Sequence, residues 1–218
     1  MLKGNQIRIG VIDDDEDDFF IIKDYIREIE NVNFVIDWLN NYQTAIAKIK
    51  AGAYHLYFLD YRLGNETGLE LLQEATAMQC DSPIVLLTGK GNKAIDIKAM
   101  QSGATDYLIK SELNAEKLER CIRYSLDRAE SLRELKAREN KYRNLFKGSK
   151  DAVFISDKNL VFTECNQAAS FLFGFENSGL LNCSLFEFLY DETQKEKLRH
   201  LLANEENASD IEIQIQDQ

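Results

Sequence analysis

The chain has 218 residues, of which 44% are hydrophobic and 29% charged, and its formal net charge is -11. That size and balance suit one large or two small globular domains. The negative charge excludes a nucleic-acid backbone as partner, no apolar run approaches the ~20 residues that span a bilayer, and "MLKGNQIRIG" has no apolar core of a signal peptide. The four cysteines, Cys80, Cys121, Cys165 and Cys183, form no C-x-x-C pair, which points to reduced thiols in a cytoplasmic protein and away from a zinc site.

The first apolar run, Ile7–Ile12, has strand character and leads straight into "VIDDDEDD", residues 11–18. So much charge at a strand end is either a solvated loop and an acidic helix start or a cation site. Phe19, Ile22, Ile26 and Ile29 follow with helical spacing, then a strand at Phe34–Leu39. The run Leu56–Leu59 ends on Asp60, in "LYFLDYRL". Leu69 and Leu72, with Ala75 and Met78 beyond, read as another helix. Ile84–Leu87 ends on Thr88, and Tyr107–Ile109 ends on Lys110. Strands alternating with helices predict a parallel sheet covered on both faces, and the unbroken apolar runs at 56–59 and 84–87 suit its centre. Ligand sites in such sheets lie at the carboxyl ends of the strands.

That rule gathers Asp13, Asp14, Asp60, Thr88 and Lys110 at one edge. Packing explains a lone Thr88, but not the whole set. Neighbouring carboxylates need a cation, and carboxylate oxygens suit Mg²⁺. Beside the metal one carboxylate can accept a phosphoryl group, which a lysine and a hydroxyl can hold.

In order and spacing, "VIDDDEDD", "FLDYRLGNETGLELL", "LLTGKG" and "SGATDYLIK" resemble the receiver domain of two-component response regulators. The resemblance implies a flavodoxin-like, doubly wound, five-stranded parallel sheet over residues 1–125. It implies Asp60 as phosphoacceptor and Asp13, Asp14, Asp60 and the Arg62 backbone carbonyl as the site of Mg²⁺ or Mn²⁺. It further implies Thr88, Lys110 and Tyr107 as the phosphoryl-binding and switch set, with a histidine kinase or phosphotransfer protein as donor. Asp15, Glu16, Asp17 and Asp18 are read separately, as an acidic helix start. The chain departs from the family pattern at Gly64 and Ser111, where proline is common, which is expected to loosen the Gly64 loop and disfavour a cis peptide at Ser111. It also carries Arg62 and Lys90 where they flank the water route to the phosphoryl group.

From Asn114 to about Lys147 there is neither glycine nor proline, and at ~1.5 Å per residue a helix here would run roughly 50 Å. Ala115, Leu118, Ile122, Ser125, Ala129 and Leu132 repeat in threes and fours, and the pattern slips at Leu135 and Tyr142. The helix over 113–147 is either one surface helix on its own domain or a coiled coil that makes a homodimer, and the dimer through Leu118, Ile122, Ala129 and Leu132 is the reading adopted. Beyond it, "YRNLF", "AVFIS", "LVFTEC" and "NQAASFLFGF" resemble the opening of a PAS sensor domain, an α+β fold with an antiparallel sheet, over 141–218. "DIEIQIQDQ" reads as its third strand; with the last strands lacking, the expectation is a piece of a longer protein, with no PAS ligand held by this part. Cys183 and His200 are read as ordinary structural residues. The functional expectation is a phosphorelay receiver that signals through the helix to PAS and a downstream output, with no enzyme activity beyond gain and loss of the Asp60 phosphoryl. The alternatives are a magnesium-dependent phosphohydrolase, against which Arg62 counts, and a phosphorylation-independent scaffold.

Overall fold

A computed structural model describes residues 6–89, 93–175 and 179–203. The chain divides into two compact units, Met1–Leu135 and Lys136–Gln218. The first contains β1 (Ile7–Ile12), α1 (Glu16–Arg27), β2 (Phe34–Leu39), α2 (Tyr42–Lys50), β3 (Leu56–Asp60), a hairpin of β4 (Arg62–Leu63) and β5 (Glu66–Thr67), α3 (Gly68–Ala77), β6 (Ile84–Thr88), α4 (Lys93–Gln101), β7 (Asp106–Ile109) and the start of α5 (Ala115–Gly148). Five parallel strands lie in the order β2-β1-β3-β6-β7, the expected flavodoxin-like arrangement.

Side-chain alternation along β3 explains the two-sided packing. Leu56 and Phe58 point into one core with Phe19, Ile22 and Ile26 of α1. Tyr57 and Leu59 point into the other with Leu71, Leu72 and Ala75 of α3. All of β3 is therefore buried, and each large side chain so covered is worth about 1.5–3 kcal/mol. The register matches Ile12 with Leu59 and Thr88 with Ile109. Asp13, Asp60, Thr88 and Lys110 thus emerge at the same edge. Helix starts are fixed by side chains: Asp15 accepts from the Asp17 amide, Asn41 from the Thr44 amide, and Thr67 and Glu70 form a reciprocal capping box on α3.

The apolar spacing did not announce α2 and α4, and Met78, expected on the buried face of its helix, caps the end of α3 half-exposed. The larger correction concerns α5. Leu118 and Ile122, expected to pair two chains, are buried in the α1-side core of their own domain, and Ala129 is also covered. The strand faces of β1, β3 and β6 need a second layer there, and the stripe supplies it. Leu132, by contrast, is 51% exposed and Leu135 63%. Asn114 accepts from the Lys117 amide at the helix start.

In the second unit β8 (Phe154–Ser156) and β9 (Phe162–Cys165) form an antiparallel pair, followed by α6 (Gln167–Leu172) and α7 (Glu192–Ala203). Phe162, Phe173 and Phe188 build its core with Phe154 packed against them. The buried Asn166 side chain accepts from the Val153 and Ala169 amides and donates to the Asp151 carbonyl, which ties the strand entry to the start of α6. Cys183 packs against this core, and His200 is on the exposed side of α7. The expected third strand lies outside the described residues.

Burial pushes the Cys121 thiol up to about 12, with the nearby Asp106 carboxylate reinforcing the shift. Only the thiolate alkylates readily. Peptide mapping after iodoacetamide treatment near pH ~8.5 should find Cys121 unmodified in the native protein and modified after denaturation. Equal labelling in both states would contradict its placement on the buried face of α5.

Candidate functional site

Six polar groups from five elements meet above the carboxyl edge of the sheet. The Lys110 ammonium, just past β7, donates to Asp13 Oδ2 at 2.8 Å and lies 2.7 Å from Asp60 Oδ1. It also donates to Asp18 Oδ2 at 2.6 Å. The Asp13 and Lys110 side chains are 1% and 16% exposed, so this ion pair works in a partly desolvated setting. Asp14 is exposed at the mouth, and Thr88 is buried at the end of β6. Together Asp13, Asp14, Asp18, Asp60, Thr88 and Lys110 line an open cleft of about 870 Å³.

The backbone fixes each carboxylate. Asp13 Oδ1 accepts from the Asp15 amide at 3.0 Å, and Asp60 Oδ2 accepts from the Arg62 amide at 2.9 Å. Asp14 Oδ2 accepts from the Gly64 amide at 3.0 Å across the hairpin turn. Gly64 has φ +59°, so the residue standing in place of proline supplies both a left-handed turn and an amide that proline lacks. The turn expected to be loosened is tied to the acid pair instead. Gly68 is required for a different reason: a Cβ there would come within 2.1 Å of the Asp60 carbonyl oxygen. Trp38 stacks on Phe19 at 5.6 Å between ring centroids and donates its indole N–H to the Asp13 carbonyl at 2.7 Å.

Burial raises the Asp13 carboxyl to about 6, against the opposing hydrogen bond from Lys110. Burial alone would lower the Lys110 ammonium, but its bonds to Asp13, Asp18 and Asp60 outweigh that and raise it. One ammonium is thus shared by three carboxylates. Carboxylate oxygens of Asp13, Asp14 and Asp60 lie within 4.8 Å of one another, a group that could hold a metal ion. The donors are all hard oxygens, which fits a small divalent cation.

The expected Asp13, Asp14, Asp60, Thr88 and Lys110 therefore come together, while Tyr107 sits half-buried against the α3-side core. Arg62 is exposed beside the cleft, and Lys90 lies outside the described residues. Sequence reasoning missed Asp18 and Trp38. Asp18 was signalled by its place one turn before the buried Ile22, which turns it toward the sheet.

The sequence profile of the response regulator receiver domain matches residues 9–123, more than half of the chain. The chain belongs to the response regulator receiver family. A PAS fold profile matches residues 140–218, so the receiver is followed by a PAS fold. The transcriptional regulatory protein QseB of Haemophilus influenzae is 33% identical over 95 residues, covering 44% of this chain and 43% of its own. ResD of Bacillus subtilis is 30% identical over 106 residues, covering 49% of this chain and 42% of its own. The chain thus spans less than half the length of these curated relatives. A two-component response regulator from Clostridium difficile superposes with a TM-score of 0.50 at 32% identity, over 56% of this chain and 98% of that one. The signal receiver domain of a putative LuxO repressor from Vibrio parahaemolyticus gives 0.53 at 24% identity, over 60% and 97%, and shares the fold.

A divalent cation that binds here stabilises the folded receiver by linkage. Millimolar Mg²⁺ should raise the receiver's thermal midpoint by a few degrees, about 1 kcal/mol, and Asp14→Asn should remove most of the gain. A midpoint unmoved by Mg²⁺, or moved equally in the variant, would count against the cation site.

Proposed function

We propose that the first domain accepts a phosphoryl group on Asp60 from a histidine kinase or phosphotransfer protein, and that the change passes through α5 toward the PAS fold. What carries the reading is Asp60 at the end of a fully buried strand, 2.7 Å from the Lys110 ammonium and facing Asp13 and Asp14. One carboxylate oxygen of Asp60 bonds to phosphorus as the donor's bond to phosphorus breaks, with the electron pair leaving on the donor. Asp13, Asp14 and Asp60 would hold Mg²⁺ or Mn²⁺, with the Arg62 carbonyl as a further oxygen. A bound metal neutralises charge on the transferring group. Lys110 then pairs with phosphoryl oxygens, and the Thr88 hydroxyl, at the cleft wall, donates to one of them. Tyr107 repacks as Thr88 is drawn in. The phosphohydrolase alternative wants an acid/base carboxylate two residues beyond the nucleophile, and that position is Arg62.

Incubation with acetyl phosphate and Mg²⁺ should add one phosphoryl group by intact mass, and Asp60→Asn should abolish it. A mass gain that survives the substitution would sink the assignment, and equal rates in EDTA would sink the metal's part in it.

The family's place in two-component systems supports the relay. For a homodimer, the support is the apolar pair Leu132 and Leu135, left exposed where α5 passes the last residue covered by its own domain. The pairing surface then begins past Ala129, not at Leu118. Light scattering should give a dimer for the wild type at tens of micromolar, and a monomer that still accepts phosphate for Leu132→Glu with Leu135→Glu. A monomeric wild type, with and without phosphate, would remove the dimer.

A further inference from the structure

We propose that Asp18 is a positioning residue of the phosphoryl-accepting site: its carboxylate competes with the phosphoryl group for the Lys110 ammonium, restraining phosphoryl acceptance while strengthening cation binding. The inference rests on the reading of Asp60 given above.

An ammonium has three N–H donors. All three have carboxylate partners here: Asp13, Asp18 and Asp60, at 2.8, 2.6 and 2.7 Å. A phosphoryl oxygen can gain Lys110 only if one partner lets go. Asp13 cannot do so cheaply, because its side chain is 1% exposed and a buried carboxylate without its cation is costly. Asp18 is 34% exposed and can turn to water. Asp60 gives up its own charge to the phosphoryl it receives, so the carboxylates left competing with that phosphoryl for Lys110 are Asp13 and Asp18, and Asp18 is the one free to yield.

Charge points the same way. Before transfer the cleft is lined by the carboxylates of Asp13, Asp14, Asp15, Glu16, Asp18 and Asp60 against the cations of Lys110 and Arg62. Transfer replaces the single charge of Asp60 by a phosphoryl of about -2. Each remaining carboxylate raises the cost of that step, and each strengthens attraction for a divalent cation beforehand. Asp17, one residue earlier, carries the same charge in the same helical turn but points away from the cleft and has no contact with Lys110 among its described bonds.

The full chain supplies the test. Asp18→Asn and Asp17→Asn are compared with wild type for the rate of phosphoryl gain from acetyl phosphate at saturating Mg²⁺, read by intact mass, and for Mg²⁺ affinity by titration calorimetry. Asp18→Asn should accept phosphate roughly threefold faster or more, and its Mg²⁺ dissociation constant should rise by a similar factor, as for loss of one half-exposed ion pair. Asp17→Asn should change neither by as much. Asp18→Ser, which keeps a polar residue in the first turn of α1, should repeat the Asp18→Asn result. A merely structural Asp18 would lower the thermal midpoint without raising the saturating rate. If wild type accepts phosphate and both Asp18 variants match Asp17→Asn, this inference alone is overturned. If wild type accepts none, the reading of Asp60 falls and takes this one with it.

Discussion

The Lys110 ammonium is the contact on which the candidate site depends. It draws together carboxylates from the end of β1, the first turn of α1 and the end of β3, each of them far from Lys110 in sequence. Without it, Asp13 and Asp60 would be like charges at close range in a partly desolvated cleft, and one would have to take up a proton. The sheet register is what makes the contact possible. A slip of one residue in β7 against β6 would turn Lys110 to the other face of the sheet. The depth of the two cores, with β3 covered on both sides, is what makes such a slip costly.

The first turns of α5 serve that same arrangement. By lying over β1, β3 and β6, Leu118 and Ile122 complete the second core and keep β3 away from water. This use of the stripe competes with any use as a seam between chains. A helix cannot offer the same face to its own sheet and to a second helix, so the surface open to another copy starts a few turns later.

The strand ends were legible because a polar residue closing an apolar run is conspicuous: Asp60 after Leu59, Thr88 after Leu87 and Lys110 after Ile109. The resemblance of the four motifs gave the fold. The less legible parts share a physical cause, which is that sequence periodicity names a face but not what covers it. The three-and-four spacing of α5 is the same whether a sheet or a second helix lies against it. In α4, Ala99 is the described buried residue, too little for an apolar stripe to show. Asp18 was hidden among neighbours of identical chemistry, and only the rotation of α1 separates it from Asp17. Gly64 looked like a loosened turn until its amide was seen to hold Asp14.

Trp38 has a consequence for how this protein can be observed. It is the chain's single tryptophan, and its indole is held at both ends: the ring on Phe19, the N–H on the carbonyl of Asp13. Indole emission depends on the polarity and hydrogen bonding around the ring. The protein therefore carries an intrinsic fluorophore wired to the backbone of its acid pair, with no second tryptophan to dilute the signal. Changes at the end of β1 reach the observer as light from one residue, without a label and without disturbing the carboxylates themselves.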